Sequence, residues 1–182
     1  MAKPKQMPTP IETAYQRRAK LLTQRGYVSL FLRLGLIALA VYLIFSQVFM
    51  LYRCNDQYMF PSVKAGDLVL AFRLEDEYLK DDMVIYSVAG AQYIGRIVAK
   101  ETDMVVIDNT GNLIVNGTTQ GGEIMYPTFA KEGITYPLRI PEDSMFLLGD
   151  FRTQTRDSRD FGPIPASNIH GKVITVIRWR GL

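Results

Sequence analysis

The side chains of this sequence that could do chemistry are hydroxyl and amine groups close together in the chain. Ser62 and Lys64 are two residues apart, and a serine hydroxyl becomes a nucleophile when a neutral amine takes its proton. A lysine is neutral near pH 7 only when burial lowers its pKa from about 10.4. Lys64 precedes a turn, Ala65-Gly66-Asp67, that favours exposure to solvent, so we do not expect it to be neutral.

Metal and cofactor chemistry have little basis in the composition. The chain has one Cys, Cys54, and one His, His170, which cannot by themselves fill a zinc site or form an internal disulfide. We therefore expect no metal and no cofactor. Cys54 is predicted to be a free thiol. His170 is predicted to be a surface or core histidine that does not bind a metal.

Charge is distributed unevenly along the chain. Residues 1–33 hold seven of the 21 Lys and Arg residues and one of the 18 Asp and Glu residues, which leaves the remainder acidic. Because the basic excess lies outside the part that is expected to fold, a nucleic-acid partner is not predicted.

A long uncharged segment follows the basic residues. Leu34–Tyr52 would span roughly 28 Å as a helix at about 1.5 Å per residue, close to the thickness of a hydrocarbon core. The positive-inside rule then places the N-terminus in the cytoplasm and the rest outside. Phe49–Arg53 is bulky and lacks a small-residue cleavage site, so we predict an uncleaved anchor in preference to a signal peptide. Cys54 would lie at the outer membrane face.

Ahead of the anchor, Thr9-Pro10-Ile11-Glu12 forms a capping box. A short helix is predicted from there to Gly26. The chain therefore divides into a basic cytoplasmic leader (1–33), a transmembrane anchor (34–52) and an extracytoplasmic β domain (55–182).

Past Asn55 the hydrophobic pattern becomes that of short strands separated by turns. An irregular excursion runs from Gln120 to Asp143 and holds several Gly and Pro residues. The fold class is mainly β, with strands predicted at Leu68–Arg73, Met83–Val88, Gln92–Ala99, Met104–Asp108, Leu113–Val115 and Lys172–Trp179.

Several short motifs follow the anchor in a fixed order. They are Tyr58-Met59-Phe60-Pro61-Ser62, Gly66-Asp67, Tyr93-Ile94-Gly95-Arg96-Ile97-Val98, Asn116-Gly117, Gly149-Asp150-Phe151-Arg152 and Asp157-Ser158-Arg159-Asp160-Phe161-Gly162. Together they resemble the type I signal peptidase family (S26) over about residues 56–171. The resemblance implies a signal-peptidase-like coiled β-sheet domain after an N-terminal transmembrane helix, and the short single anchor is similar to the Gram-positive form.

The family uses a Ser/Lys dyad, and this sequence departs from the family at both dyad positions. Tyr58 stands where the Ser-Met-x-Pro run has Ser, and Gly95 stands where the Tyr-x-Lys-Arg strand has Lys. A phenol with a pKa of about 10 needs a base to act as a nucleophile, and none is visible near Tyr58. We expect no intact catalytic residue. The alternative is a relocated dyad, drawn from Ser62, Lys64, Ser144 and Lys100.

The resemblance also implies roles for neighbouring residues. The substrate groove would be lined by Met59, Phe60, Pro61, Tyr93 and Ile94, of which the first three are expected to form an apolar lip toward the membrane. Structural bracing through ion pairs and hydroxyl contacts is expected from Arg96, Asp150, Thr155, Asp157, Ser158 and Arg159. The ion-pair partner of Asp157 would be Arg159 or Arg96.

The two departures would compensate in volume. If positions 58 and 95 face each other, Tyr for Ser adds about the bulk that Gly for Lys removes. We therefore predict that the Tyr58 ring lies in or toward the space above Gly95, with its hydroxyl directed to the Thr155 or Ser158 region or to water.

Two main functions follow. The first is a catalytically inactive, membrane-anchored chaperone or assembly factor for exported surface proteins, similar to the dyad-less signal-peptidase-like proteins of Gram-positive pilus assembly. Its partners would be the membrane and an exported protein or pilin subunit, with a sortase as a further candidate. The second is an active signal peptidase I with a displaced nucleophile and base. A scaffold for membrane complexes that needs no groove is a third interpretation.

Overall fold

The structure is a computed structural model that describes residues 10–121 and 126–178. The chain divides into two units, residues 1–45 and 46–182. Helix α1 (Pro10–Val48) has 39 residues. Its segment Arg25–Val48 has 24 residues and is long and apolar enough to cross a membrane, as an anchor or a signal sequence would be.

Helix α1 differs from the prediction at both ends. Gly26 does not end a short helix but lies inside α1, because one interior glycine costs only about 1 kcal/mol and the residues after it continue the helix. Thr9, the predicted N-cap, lies outside the described residues. At the other end, Phe49–Tyr52 belongs to a strand instead of the anchor helix, because pairing with a later strand overrides its helical pattern.

The described residues after α1 form eleven strands and two short helices. The helices are α2 (Ser158–Phe161) and a 3-10 helix (Ala166–Asn168). The strands are β1 (Phe49–Arg53), β2 (Leu68–Phe72), β3 (Met83–Val88), β4 (Ala91–Ala99), β5 (Met104–Ile107), β6 (Leu113–Val115), β7 (Thr118–Thr119), β8 (Leu138–Arg139), β9 (Ser144–Leu148), β10 (Ile164–Pro165) and β11 (Ile169–Ile177).

The strands form two antiparallel sheets. The first has seven strands in the order β1-β2-β11-β3-β4-β9-β10, and the second has four in the order β7-β6-β5-β8. The mainly β fold that the sequence predicts is confirmed. Each of the six predicted strands has a counterpart, and Ser144 is the first residue of a further strand, β9. Trp179, the predicted end of the last strand, lies outside the described residues.

Strand β4 is covered on both faces, and this places the residues of interest. Ile94 packs in a cluster with Met59 on one face, whereas Ile97 packs with Tyr86 and Leu147 on the other. The β3–β4 register pairs Tyr86 with Tyr93. Because side chains alternate along a strand, residues 93 and 95 face the side of the sheet on which the Tyr86 ring lies.

Cys54 is a free thiol, but it lies in the core and not at a surface. Its side chain is fully buried beside Met59 and Val69. Burial is the main cause that raises the pKa of the thiol, to about 11. Cys54 is therefore a small core residue in its neutral form.

Candidate functional site

Tyr58, at the first degenerate dyad position, lies half-buried in the loop after β1. Its backbone N–H donates to Asp56 Oδ1 at 3.0 Å, and its carbonyl oxygen accepts from the Phe151 N–H at 3.0 Å. The ring stacks on Tyr93, with 6.4 Å between centroids and 18° between planes. The ring is thus held against β4 two residues before Gly95.

Gly95, which the resemblance assigns to the second dyad position, is buried in β4 and closely packed. An ideal Cβ on Gly95 would lie 3.0 Å from Tyr86 Cε1 and 3.3 Å from Leu147 Cβ, and none of the three nearest atoms belongs to Tyr58. The prediction that the Tyr58 ring fills this space is therefore wrong. The ring over Gly95 is that of Tyr86, which reaches across from β3.

Tyr86 belongs to an aromatic cluster whose centre is Tyr93, which also contacts Tyr58 and Phe161. The Tyr93 ring centroid lies 5.7 Å from that of Tyr86 and 5.3 Å from that of Phe161. Tyr86 is fully buried, and its hydroxyl has no hydrogen-bond partner within residues 10–121 and 126–178. Burial, with Asp157 as the next cause, raises the pKa of this phenol, so the hydroxyl is neutral.

The two chain segments that would border a peptide groove contact each other. Besides the stacking of Tyr58 on Tyr93, the Tyr52 hydroxyl donates to the Gln92 carbonyl oxygen at 3.3 Å. Among the residues expected to line the groove, Met59 and Ile94 are buried in the core. Met59 therefore cannot form the expected surface lip, and only Phe60, Pro61 and Tyr93 reach solvent.

Phe60 is half-buried and packs by its ring against Phe151, with 6.0 Å between centroids. The Lys64 amine lies 5.8 Å from the Phe60 ring centroid, over an exposed surface. Lys64 is thus an exposed cation on an aromatic ring and not a buried amine next to Ser62.

Arg96 and Asp150 form a two-point ion pair next to the dyad positions. Arg96 Nε donates to Asp150 Oδ1 at 2.9 Å and Arg96 Nη2 to Asp150 Oδ2 at 2.8 Å. The Ser62 hydroxyl donates to the same Asp150 Oδ2 at 2.5 Å. Ser62 therefore belongs to a structural network instead of facing a base.

Asp157 pairs with Arg159, one of the two partners expected. Arg159 Nε and Nη2 donate to the two Asp157 oxygens at 2.9 and 2.8 Å, and both side chains are at most 2% exposed. Arg159 also donates to the carbonyl oxygens of Phe129, at 3.1 Å, and Arg152, at 2.6 Å. The pair thus ties residues 150–160 to the excursion that precedes β9.

Ser158 and Thr155 complete the bracing residues. The Ser158 hydroxyl is fully buried and accepts from the Leu147 N–H of β9 at 2.9 Å. A Cβ on Gly149 would overlap both Thr155 Oγ1 and the Tyr58 carbonyl oxygen. The Tyr58 backbone and the Thr155 side chain thus both pack closely against position 149, and this close approach requires glycine there.

Lys131 is a site residue that the sequence did not indicate. It lies in the excursion, and its amine donates to the Thr155 carbonyl oxygen at 2.5 Å and to Asp160 Oδ2 at 2.6 Å. Nothing in the irregular composition of this segment marks Lys131 out. Its position depends on how the excursion folds back onto α2.

Other candidates for chemistry are separated from one another. The Ser144 hydroxyl donates to the Glu142 carbonyl oxygen at 3.3 Å. His170 is half-buried at the start of β11. Within the described part of the chain, no three His, Cys, Asp or Glu residues are grouped so that they could hold a metal ion.

A cavity of about 650 Å3 lies on the other side of the Arg96–Asp150 pair. It reaches from Arg96 and Val98 of β4 to Leu113 of β6, and Arg152 lies in its wall. The cavity therefore lies between the two sheets, and neither Tyr58 nor Gly95 is among its lining residues.

Comparisons with known proteins agree in family. The sequence profile of a family described as "Signal peptidase, peptidase S26" matches residues 27–179. The chain is 35% identical to "Probable thylakoidal processing peptidase 2, chloroplastic" of Arabidopsis thaliana over 133 residues, which is 64% of this chain and 34% of that protein. It is 27% identical to "Signal peptidase I" of Bacillus caldolyticus over 142 residues, 69% of this chain and 78% of that protein.

The extent of these matches differs. The chain spans little more than a third of the length of the thylakoidal processing peptidases, at 34% and 38%. A solved structure of a signal peptidase I from Enterococcus faecalis aligns with a TM-score of 0.46 at 20% identity, covering 55% of this chain and 98% of that chain.

Proposed function

The chain belongs to the signal peptidase family, peptidase S26, and from this membership we propose that it is a catalytically inactive member that binds exported proteins and assists their assembly. One observation carries the proposal. Position 95 carries no amine, and a Cβ added there would lie 3.0 Å from Tyr86 Cε1 and 3.3 Å from Leu147 Cβ. The hydroxyl at position 58 is a phenol whose ring stacks on Tyr93.

The alternative, an active peptidase with a displaced dyad, needs an unprotonated amine beside a free hydroxyl. The Lys131 amine donates to the Thr155 carbonyl oxygen and to the Asp160 carboxylate. Those are the contacts of an ammonium ion, which cannot accept a proton. Ser62 and Ser158 both have other hydrogen-bond partners, which also disfavours the alternative.

The surface beside the degenerate dyad supports a binding role. Phe60 and Pro61 are partly exposed there, with Tyr93 nearby. Aromatic side chains of this kind supply contact area for a protein partner. The exported protein would lie against Phe60, and a pilin subunit, alone or with a sortase, is the partner that the resemblance to dyad-less pilus-assembly proteins implies.

The location proposed is the cell membrane, with a single span. The basic residues before Leu34 would lie in the cytoplasm, and the β domain would lie outside. Protease added to protoplasts should then remove the β domain and leave the leader protected. Survival of the β domain under these conditions, with degradation after lysis, would refute the orientation.

The function is tested by measuring cleavage and binding on the same preparation. Purified full-length chain in detergent micelles is incubated with an exported preprotein, and the signal peptidase I of Bacillus caldolyticus serves as the positive control. We expect no cleavage, together with co-purification of the preprotein that Phe60→Asp weakens. Cleavage at the signal-peptide junction that Lys131→Ala abolishes would establish the alternative, and absence of both cleavage and binding would refute the proposal.

A further inference from the structure

Arg152 is a buried cation that faces the cavity between the two sheets. Its side chain is 5% exposed and lies in the wall of the cavity of about 650 Å3. Nε donates to the Gly149 carbonyl oxygen at 2.9 Å, and Nη1 donates to Thr128 Oγ1 at 2.5 Å. A guanidinium has five N–H groups, so three of them, including both on Nη2, are not used by these contacts.

No acid forms an ion pair with Arg152 in the part of the chain that the structure describes. Arg96 on the same wall is paired with Asp150, and the adjacent Arg159 with Asp157. Burial, followed by the charge of Arg159, lowers the pKa of Arg152 to about 10, and the more distant charges of Asp150 and Asp157 offset this only in part. A buried guanidinium without a direct partner of opposite sign is costly.

The other charged residues of the described wall are Asp81, Arg96 and Asp150, and none of them contacts the N–H groups of Arg152 that are left over. Asp150 accepts from both Arg96 and Ser62. Asp81 lies exposed at the rim, where its carbonyl oxygen accepts from Arg96 Nη1 at 2.8 Å. An anion in the cavity would therefore accept hydrogen bonds from the N–H groups of Arg152 that have no partner in the described wall.

We propose that the cavity is a binding site for a carboxylate, whose oxygens would accept hydrogen bonds from the unused N–H groups of Arg152. A planar guanidinium matches the two oxygens of a carboxylate, and such hydrogen bonds are among the stronger ones in proteins. The volume is far larger than a single ion needs and lies in the range of small-ligand pockets. The carboxylate would thus be part of a larger molecule, either a free organic acid or an extended peptide with an acidic residue.

The rest of the wall fits the body of such a ligand. Thr110 and Asn112, in the turn between β5 and β6, and Gln120 supply uncharged polar groups opposite Arg152. Pro61 and Leu113 add apolar surface. This site lies apart from Tyr58 and Gly95, so it does not depend on whether the protein cleaves signal peptides.

Isothermal titration of the full-length chain in detergent micelles tests the site. The probes are succinate with its neutral counterpart succinamide, and a capped peptide, acetyl-Ala-Ala-Glu-Ala-Ala-amide, with its Gln counterpart. We expect at least one carboxylate to bind tenfold or more tightly than its amide, a difference of about 1.4 kcal/mol or more. Binding of succinate indicates a free acid as the ligand, and binding of the Glu peptide indicates an acidic protein segment.

Two variants locate the binding. Arg152→Met removes the charge and should weaken the carboxylate at least tenfold. Gly121 lies at the cavity with nothing within 4 Å of an added Cβ, so Gly121→Trp should block the cavity while Gly121→Ala leaves binding unchanged within about twofold. If Arg152→Met does not fold, the comparison at position 121 decides. Equal binding of carboxylate and amide, no binding of any probe up to 10 mM, or full binding to Gly121→Trp would overturn the proposal.

Discussion

Crowding between Tyr86 and position 95 can be measured as a coupling energy. A Cβ on Gly95 would lie 3.0 Å from Tyr86 Cε1 and 3.3 Å from Leu147 Cβ, and overpacking of this kind costs about 1–3 kcal/mol. Replacing a strand glycine by alanine also stabilises the folded state by about 0.5–1 kcal/mol, because the unfolded chain then has less conformational entropy to lose. Gly95→Ala should therefore destabilise the β domain by a net of about 0–2.5 kcal/mol, whereas it would stabilise the domain by about 0.5–1 kcal/mol if the space were empty.

The matched variants separate crowding from other effects. Gly121→Ala is the control, because an added Cβ there meets nothing within 4 Å. It should change stability by no more than about 0.5 kcal/mol. Tyr86→Leu removes the ring that crowds Gly95, so the double variant should be more stable than the sum of the two single changes by about 1–2 kcal/mol.

Tyr86→Phe keeps the ring and removes the hydroxyl. Because that hydroxyl is buried without a partner in the described residues, we expect Tyr86→Phe to be neutral or stabilising by up to about 1 kcal/mol. Gly95→Ala should cost as much in this background as in the wild type. The assay is urea unfolding of the full-length chain in micelles, followed by near-ultraviolet circular dichroism of the tyrosines.

The refuting results are specific. If Gly95→Ala is more stable than the wild type by about 0.5–1 kcal/mol, the space over Gly95 is not filled. If Gly95→Ala and Tyr86→Leu are additive within about 0.3 kcal/mol, the ring that fills it is not that of Tyr86. In either case Gly95→Lys with Tyr58→Ser could restore a dyad without a change at position 86, whereas the crowding described here requires all three.

Three further predictions concern the network, the core and the surface. Arg159→Met should lower the free energy of unfolding by about 3–5 kcal/mol, because it leaves the buried Asp157 carboxylate unpaired, and adding Asp157→Leu should recover part of the loss in the same urea assay. The folded-state pKa of Cys54 is raised from 9.0 to about 11, so its stabilising contribution is complete below about pH 9 and is lost as the pH rises to about 11. Thermal melts of Cys54→Val should show a smaller drop over that interval, and an identical drop would exclude the thiol as its source. Phe60→Asp should keep the near-ultraviolet spectrum of the wild type while weakening preprotein binding in a pull-down, and loss of the folded spectrum would instead make Phe60 a core residue.

Local pattern was enough to find the central strands but not the first one. The stretches that became β3 and β6 were predicted to the residue, because alternation and flanking turns are local signals. The stretch that became β1 reads as the end of an apolar helix. Its pairing with β2, which joins Met50 to Ala71 and Tyr52 to Val69, connects residues about twenty positions apart. That pairing is a tertiary interaction, and no window of sequence around Phe49 contains it.

The motifs located the dyad positions, yet they could not identify what fills the space between them. Volume alone pointed to Tyr58, since it is the residue that gained bulk relative to the family. The ring over Gly95 comes from Tyr86 because the β3–β4 register sets Tyr86 opposite Tyr93, two residues from Gly95. A register is a property of the assembled sheet, so composition at the two dyad positions does not determine which neighbour packs there.

The network around α2 explains how the motifs can match the family while the dyad positions do not. Arg159 holds the excursion through the Phe129 carbonyl oxygen, Lys131 holds it from the other side through Asp160, and Ser158 holds β9. These contacts serve the fold whether or not a lysine stands at position 95. The three contacts use neither the Tyr58 side chain nor Gly95. The motif around α2 is therefore held as structure by contacts that are independent of the chemistry at positions 58 and 95, which is the physical basis for separating membership in the family from activity.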